Sequence, residues 1–81
     1  MAHILVVDDD EQIRATLGEF LKKTGYDVAL ASNGKEALQH LAAHKVDLIV
    51  LDVIMPEQDG IGTILEIMKL PVQRLRVYAA A

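Results

Sequence analysis

Residues 4 to 14 read ILVVDDDEQIR. The first four are aliphatic without a break, and three of them (Ile4, Val6 and Val7) are β-branched, as suits a strand buried on both faces. After the aspartates the period changes. Ile13, Leu17, Phe20 and Leu21 recur at i, i+4, i+7 and i+8, which is one face of a helix. Asp10 stands where its side chain can accept a free backbone N–H of that helix. Gly25, after Thr24, stands where a left-handed residue ends one. A doubly buried strand passing directly into an amphipathic helix is the start of a β-α unit, and the remaining sequence repeats the unit.

Tyr26 to Ala31 (YDVALA) reads as a second strand. The segment SNGKEALQHLAAH, residues 32 to 44, opens with Asn33 and Glu36 at capping-box spacing and carries an apolar stripe of Ala37, Leu38, Leu41 and Ala42. Val46 to Asp52 (VDLIVLD) is a third strand, again aliphatic and again ending in aspartate. In VIMPEQDGIG, residues 53 to 62, Pro56 cannot continue a ladder and Asp59-Gly60 is a turn pair, so a loop is expected. A short helix with Ile61, Ile64, Leu65 and Met68 inward should stop before Pro71, and RVYAAA, residues 76 to 81, suits a fourth strand. The order β-α-β-α-β-α-β predicts one α/β domain over residues 1 to 81: a parallel sheet with helices on both faces.

Composition narrows the function classes. Of the 81 residues 52% are hydrophobic but only 4% aromatic, so the core must be aliphatic. A net charge of −4 argues against nucleic acid as partner. With no cysteine there is neither a disulfide framework nor a thiolate metal site. No apolar run has the length of a membrane helix, and the start lacks a signal peptide, so no membrane partner and a cytoplasmic location are expected. His3, His40 and His44 are scattered along the chain and read as surface or strand-end residues.

The aspartates need a reason, because three adjacent carboxylates repel one another. A cap and a turn is one reading. The other follows from the sheet, since open parallel sheets bind ligands at the carboxyl ends of their strands. Asp8 and Asp9 leave the first strand and Asp52 ends the third. If those strands are neighbours, three carboxylates share one crevice, a donor set suited to Mg²⁺.

The segments ILVVDDDEQIR and DLIVLDVIMPEQDG, with Gly34-x-Glu36-Ala37-Leu38 between them, resemble the receiver domain of two-component response regulators. The resemblance spans residues 3 to about 69. It implies a flavodoxin-like fold with sheet order 2-1-3-4 for the strands present. It implies Asp52 as phosphoryl acceptor, and Mg²⁺ held by Asp8, Asp9, Asp52 and the backbone carbonyl of Ile54. Pro56, Asp59 and Gly60 would shape the following loop. The implied partner is a sensor histidine kinase, and the chain would be an acceptor rather than an enzyme.

The sequence also departs from the family. Ala80 or Ala81 stands where a Ser or Thr should end the fourth strand, and the fifth strand with its Lys does not follow, as in a truncated receiver. Phosphoryl signalling is therefore expected to be impaired. The uncovered apolar face and edge of such a half-domain predict a homodimer or higher oligomer. The competing reading is a self-associating structural or engineered half-domain that retains the acidic pocket without signalling. A hydrolase of the haloacid-dehalogenase type would need an aspartate two residues after the nucleophile, where this chain has Ile54.

Overall fold

The structure, a computed structural model, describes residues 2–52, 54–55, 58–59, 62, 65, 69 and 76–80. Strand β1 is His3–Val7, helix α1 Glu11–Lys23, strand β2 Asp27–Ala31, helix α2 Gly34–Ala43 and strand β3 Leu48–Asp52. Two short strands follow, β4 at Ile54–Met55 and β5 at Gln58–Asp59, and β6 is Arg76–Ala80. The main sheet runs β2-β1-β3-β6, and every pairing in it is parallel. This is the expected order 2-1-3-4, with β6 as the fourth strand.

β1 lies between two partners, which explains its unbroken aliphatic run. Leu5, Val6 and Val7 are wholly buried, each contributing about 1.5–3 kcal/mol of hydrophobic stabilisation. One face of the sheet joins Leu5, Val7, Ala31, Ile49 and Leu51 in a single core with Ala37 and Leu41 of α2. The other face receives α1. There Gly18 lies so close to Leu30 that an added Cβ would come within 3.0 Å of Leu30 Cδ2. Because Leu30 and Ala31 are adjacent strand residues, they point to opposite faces, so the two helices flank the sheet.

The helix ends follow local chemistry. Asp10 caps α1, its Oδ1 accepting from the N–H groups of Gln12 at 2.9 Å and Ile13 at 3.2 Å. At the other end Gly25 has φ +104°. Its N–H donates to Lys22 O, and that of Tyr26 to Leu21 O, the paired bonds of a Schellman motif. Asn33 caps α2 by accepting from Glu36 N–H at 2.8 Å.

Several expectations are corrected. On α1 the apolar stripe is only partly covered, with Ile13 49% and Phe20 65% exposed. The helix packs over β2 and, to a lesser extent, β1, so the outer part of its stripe has no sheet beneath it. Ala42 of α2 is exposed as well. Beyond β3 the expected loop contains a ladder, with Ile54 opposite Asp59 and Met55 opposite Gln58, so its backbone groups satisfy one another. Gly62 and Leu65 are helical, but Leu65 is 55% exposed rather than inward. Ile61, Ile64, Met68, Pro71 and Ala81 lie outside the described residues.

Candidate functional site

The register brings the acidic positions to one edge. Val7 pairs with Leu51 across β1 and β3. Asp8 follows Val7 and Asp52 follows Leu51, so the two aspartates leave adjacent parallel strands at their carboxyl ends, about 4.8 Å apart as backbones. On the far side of β3, Asp52 is in register with Ala80 of β6.

The three aspartates after β1 have different surroundings. Asp8 is 8% exposed, the one buried charged residue among those described. Its Oδ1 accepts the Asp10 N–H at 2.9 Å, and its own N–H donates to Ala31 O at 3.1 Å. Arg14 donates from Nη1 to the Asp8 carbonyl at 2.6 Å, so the backbone is held from two sides where the carboxylate leaves the strand. Asp9 is exposed, and Asp10 is occupied as the helix cap. Part of the cluster is therefore structural, as the cap reading holds, while Asp8 and Asp9 follow β1 at its carboxyl end.

Asp52 ends β3, Ile54 begins β4 and Asp59 ends β5. The side chains of Asp52, Ile54 and Asp59, together with Pro56 and Gly60, lie outside the described residues. Among the described residues, no three His, Asp or Glu side chains stand together as a complete metal-binding group. The donor chemistry nevertheless fits a hard cation: carboxylates on adjacent strand ends, with a backbone carbonyl two residues beyond one of them.

In the first turn of α2, Glu36 Oε1 accepts from Ser32 N–H at 2.7 Å and Ser32 Oγ–H at 2.6 Å. These bonds, aided by the charge of Arg14, hold the Glu36 carboxyl below its ordinary value.

His3 opens β1 and His44 is exposed, as read from the sequence, but the three rings are not scattered in space. His3 Nε2 lies 2.9 Å from His40 Nε2, and the ring of His44 stacks on that of His40 with centroids 4.3 Å apart. Burial, then the neighbouring His44 and His3, hold the His40 ring below the usual imidazole value, with Asp27 acting in the opposite direction. The i, i+4 spacing of His40 and His44 was a visible signal. The meeting with His3, 37 positions away, was not.

An open parallel sheet of this order, with aspartates following β1 and ending β3 where the strand order reverses, defines a flavodoxin-like fold. The family model for the response regulator receiver domain matches residues 4–80, and this chain belongs to that family. It is 49% identical over 67 residues to the probable transcriptional regulator ycf27 of Cyanidium caldarium, covering 83% of this chain and 27% of that protein. It is 39% identical to the chemotaxis protein CheY of Bacillus subtilis (strain 168), covering 100% of this chain and 69% of CheY. The response regulator TrrA of Thermotoga maritima, solved in complex with Mg²⁺-BeF, superposes with a TM-score of 0.82 at 37% identity, covering 100% of this chain and 71% of that one. The complex of histidine kinase ThkA with TrrA matches with a TM-score of 0.83 at 30% identity, over 100% and 87% of the two chains. The chain spans about a quarter of the length of the first curated relatives it matches.

Proposed function

We propose that the chain is a Mg²⁺-dependent phosphoryl acceptor of two-component signalling, with Asp52 as the residue modified. The observation that carries this is the placement of Asp8 and Asp52 at neighbouring parallel strand ends. Asp8, Asp9, Asp52 and the Ile54 carbonyl would hold the cation. When bound, it supplies charge compensation between carboxylate and phosphoryl group and leaves positions for phosphate oxygens. In the transfer an Asp52 carboxylate oxygen bonds to phosphorus as the phosphorus–nitrogen bond of a phosphohistidine breaks. The departing imidazole keeps the electron pair and takes a proton. Asp8 is kept in place for this by the Asp10 N–H and by the grip of Arg14 on its carbonyl.

The phosphohistidine donor is a sensor histidine kinase, a reading supported by the solved ThkA–TrrA pair. The chain accepts the group rather than turning over a substrate. Its net charge of −4 speaks against nucleic acid, and among the described residues no helix is long and apolar enough to cross a membrane. We place it in the cytoplasm, with its kinase. Phosphoryl handling is weakened in this chain, because Ala80, the register partner of Asp52, has no hydroxyl to donate to a phosphoryl oxygen. The loss of one such donor raises a barrier by about 3 kcal/mol.

A second reading, self-association, rests on a separate observation. Ile13, Phe20 and Leu30 are all about half exposed or more, and Ile13 and Leu17 line an open groove of about 470 Å³ with Asp10, Gln12 and Thr16. We propose that a second copy of the chain covers this face in a homodimer. The face takes in α1 and Leu30 of β2, and its groove adjoins the acidic strand end, because Asp10 lines it and donates its N–H to Asp8.

The phosphoacceptor reading is tested by backbone NMR during titration with Mg²⁺ and then beryllofluoride. Shifts should centre on Asp8, Asp9 and Asp52, and Asp52→Asn should abolish the beryllofluoride step. Silence at millimolar Mg²⁺ would sink the proposal.

A further inference from the structure

The end of the sheet opposite the acidic pocket carries a second group of potential ligands. His3 opens β1, His40 lies in the last turn of α2, and His44 is that helix's C-cap. From the geometry we infer that His3 and His40 form the nucleus of a binding site for a borderline divalent cation of the Zn²⁺ type, with His44 recruited as third ligand. The site is independent of the phosphoacceptor reading, since about five strand residues, or roughly 16 Å, separate His3 from Asp8.

Four observations carry this. The two Nε2 atoms face each other at 2.9 Å, so one neutral ring donates its N–H to the lone pair of the other. Zinc–nitrogen bonds of about 2.0–2.1 Å at a tetrahedral angle separate two ligand nitrogens by roughly 3.3 Å. A cation can therefore replace the shared proton after the rings part by a few tenths of an ångström, while the displaced proton moves to the other nitrogen of its ring through solvent. Neutral imidazole is the metal-binding form.

Behind His3, Asp27 Oδ2 lies 3.0 Å from Nδ1. The contact is off the line of a hydrogen bond, so this buried nitrogen lacks an aligned partner. A cation on Nε2 makes the Nδ1 proton more acidic and draws it towards the carboxylate, the carboxylate–histidine–metal arrangement that orients ligating rings.

The His3 backbone is fixed as well. Asp47 Oδ2 accepts its N–H at 2.8 Å, and the Asp47 N–H donates to its carbonyl at 2.8 Å. A ligand on a strand clamped at both backbone groups loses little freedom on binding.

As they stand the three rings do not make a three-ligand group, so His44 must turn to join the other two. Its ring is nearly parallel to that of His40, with centroids 4.3 Å apart, and its centroid is 6.5 Å from that of His3. Its Nδ1 is 3.3 Å from the His40 carbonyl, a contact that a side-chain rotation exchanges for the cation.

The experiment is a Zn²⁺ titration of the chain in excess Mg²⁺, followed through imidazole nitrogen shifts and by calorimetry. Mg²⁺ prefers oxygen ligands and leaves imidazoles unoccupied. We expect one saturable site that moves the Nε2 signals of His3 and His40 in the unaltered protein, a readout that needs no variant to fold. His40→Gln and His3→Gln should each abolish it, and Asp27→Asn should weaken it by roughly tenfold. Asp52→Asn should leave it unchanged. The proposal fails if millimolar Zn²⁺ leaves these nitrogens unmoved, if shifts centre instead on Asp8 and Asp9, or if the two histidine variants bind as tightly as the parent.

Discussion

Glu36 shows what a single side chain does here. Its carboxylate takes both donors of Ser32, and those bonds favour the ionised form over the protonated one. The unfolded chain lacks them and binds a proton near the ordinary value of about 4.3. The contribution to stability is therefore complete above that pH and declines as pH falls towards the lower folded value. Urea midpoints should fall more steeply between pH 5 and pH 3.5 in the parent than in Glu36→Gln, and equal slopes would refute the assignment. The spacing Asn33 to Glu36 announced this cap because capping is local. Its partner was not announced: the carboxylate reaches Ser32, one residue before the cap. The grouping of His3 with His40 was equally hidden, since it depends on where a helix ends relative to a distant strand.

At the scale of the element, α1 separates what sequence can and cannot decide. Its start at Asp10 and stop at Gly25 are written in side chains that act on nearby backbone groups. The Gly25 φ of +104° is a conformation in which a Cβ meets its own backbone, at a cost of about 1–2 kcal/mol. Gly25→Ala should therefore lower stability by about that amount in denaturant unfolding, and an unchanged midpoint would show that the turn relaxes freely. The helical period of Ile13, Leu17, Phe20 and Leu21 was correctly read, but periodicity marks only which residues share a face. What lies beneath that face depends on where the helix crosses the sheet. Likewise, Pro56 argued for a loop after β3, yet Ile54 and Asp59 still pair.

At the scale of the molecule, the sheet order was legible through the resemblance to receiver domains, whereas the two aliphatic strands ending in aspartate only made their adjacency worth asking about. The side-chain geometry at Asp52 was not legible, because spacing alone places residues on an edge without fixing their rotamers. An 81-residue chain buries only about 60–65% of its surface, and here Phe20 remains 65% exposed. Sedimentation should therefore give the mass of two chains, and Phe20→Glu should reduce it to one. A single-chain mass for the parent would refute the homodimer.

The position of β1 also bears on synthesis. Among the described strands it is made before its neighbours, yet it has partners on both sides, and β3 is complete only at Asp52. At about 5–20 residues per second, some 45 further residues take roughly 2–9 s to appear. For that interval the ribosome presents an aliphatic strand with at least one edge unpaired, a target for chaperones that hold extended apolar segments. Slower translation through residues 8 to 52 should lengthen that contact.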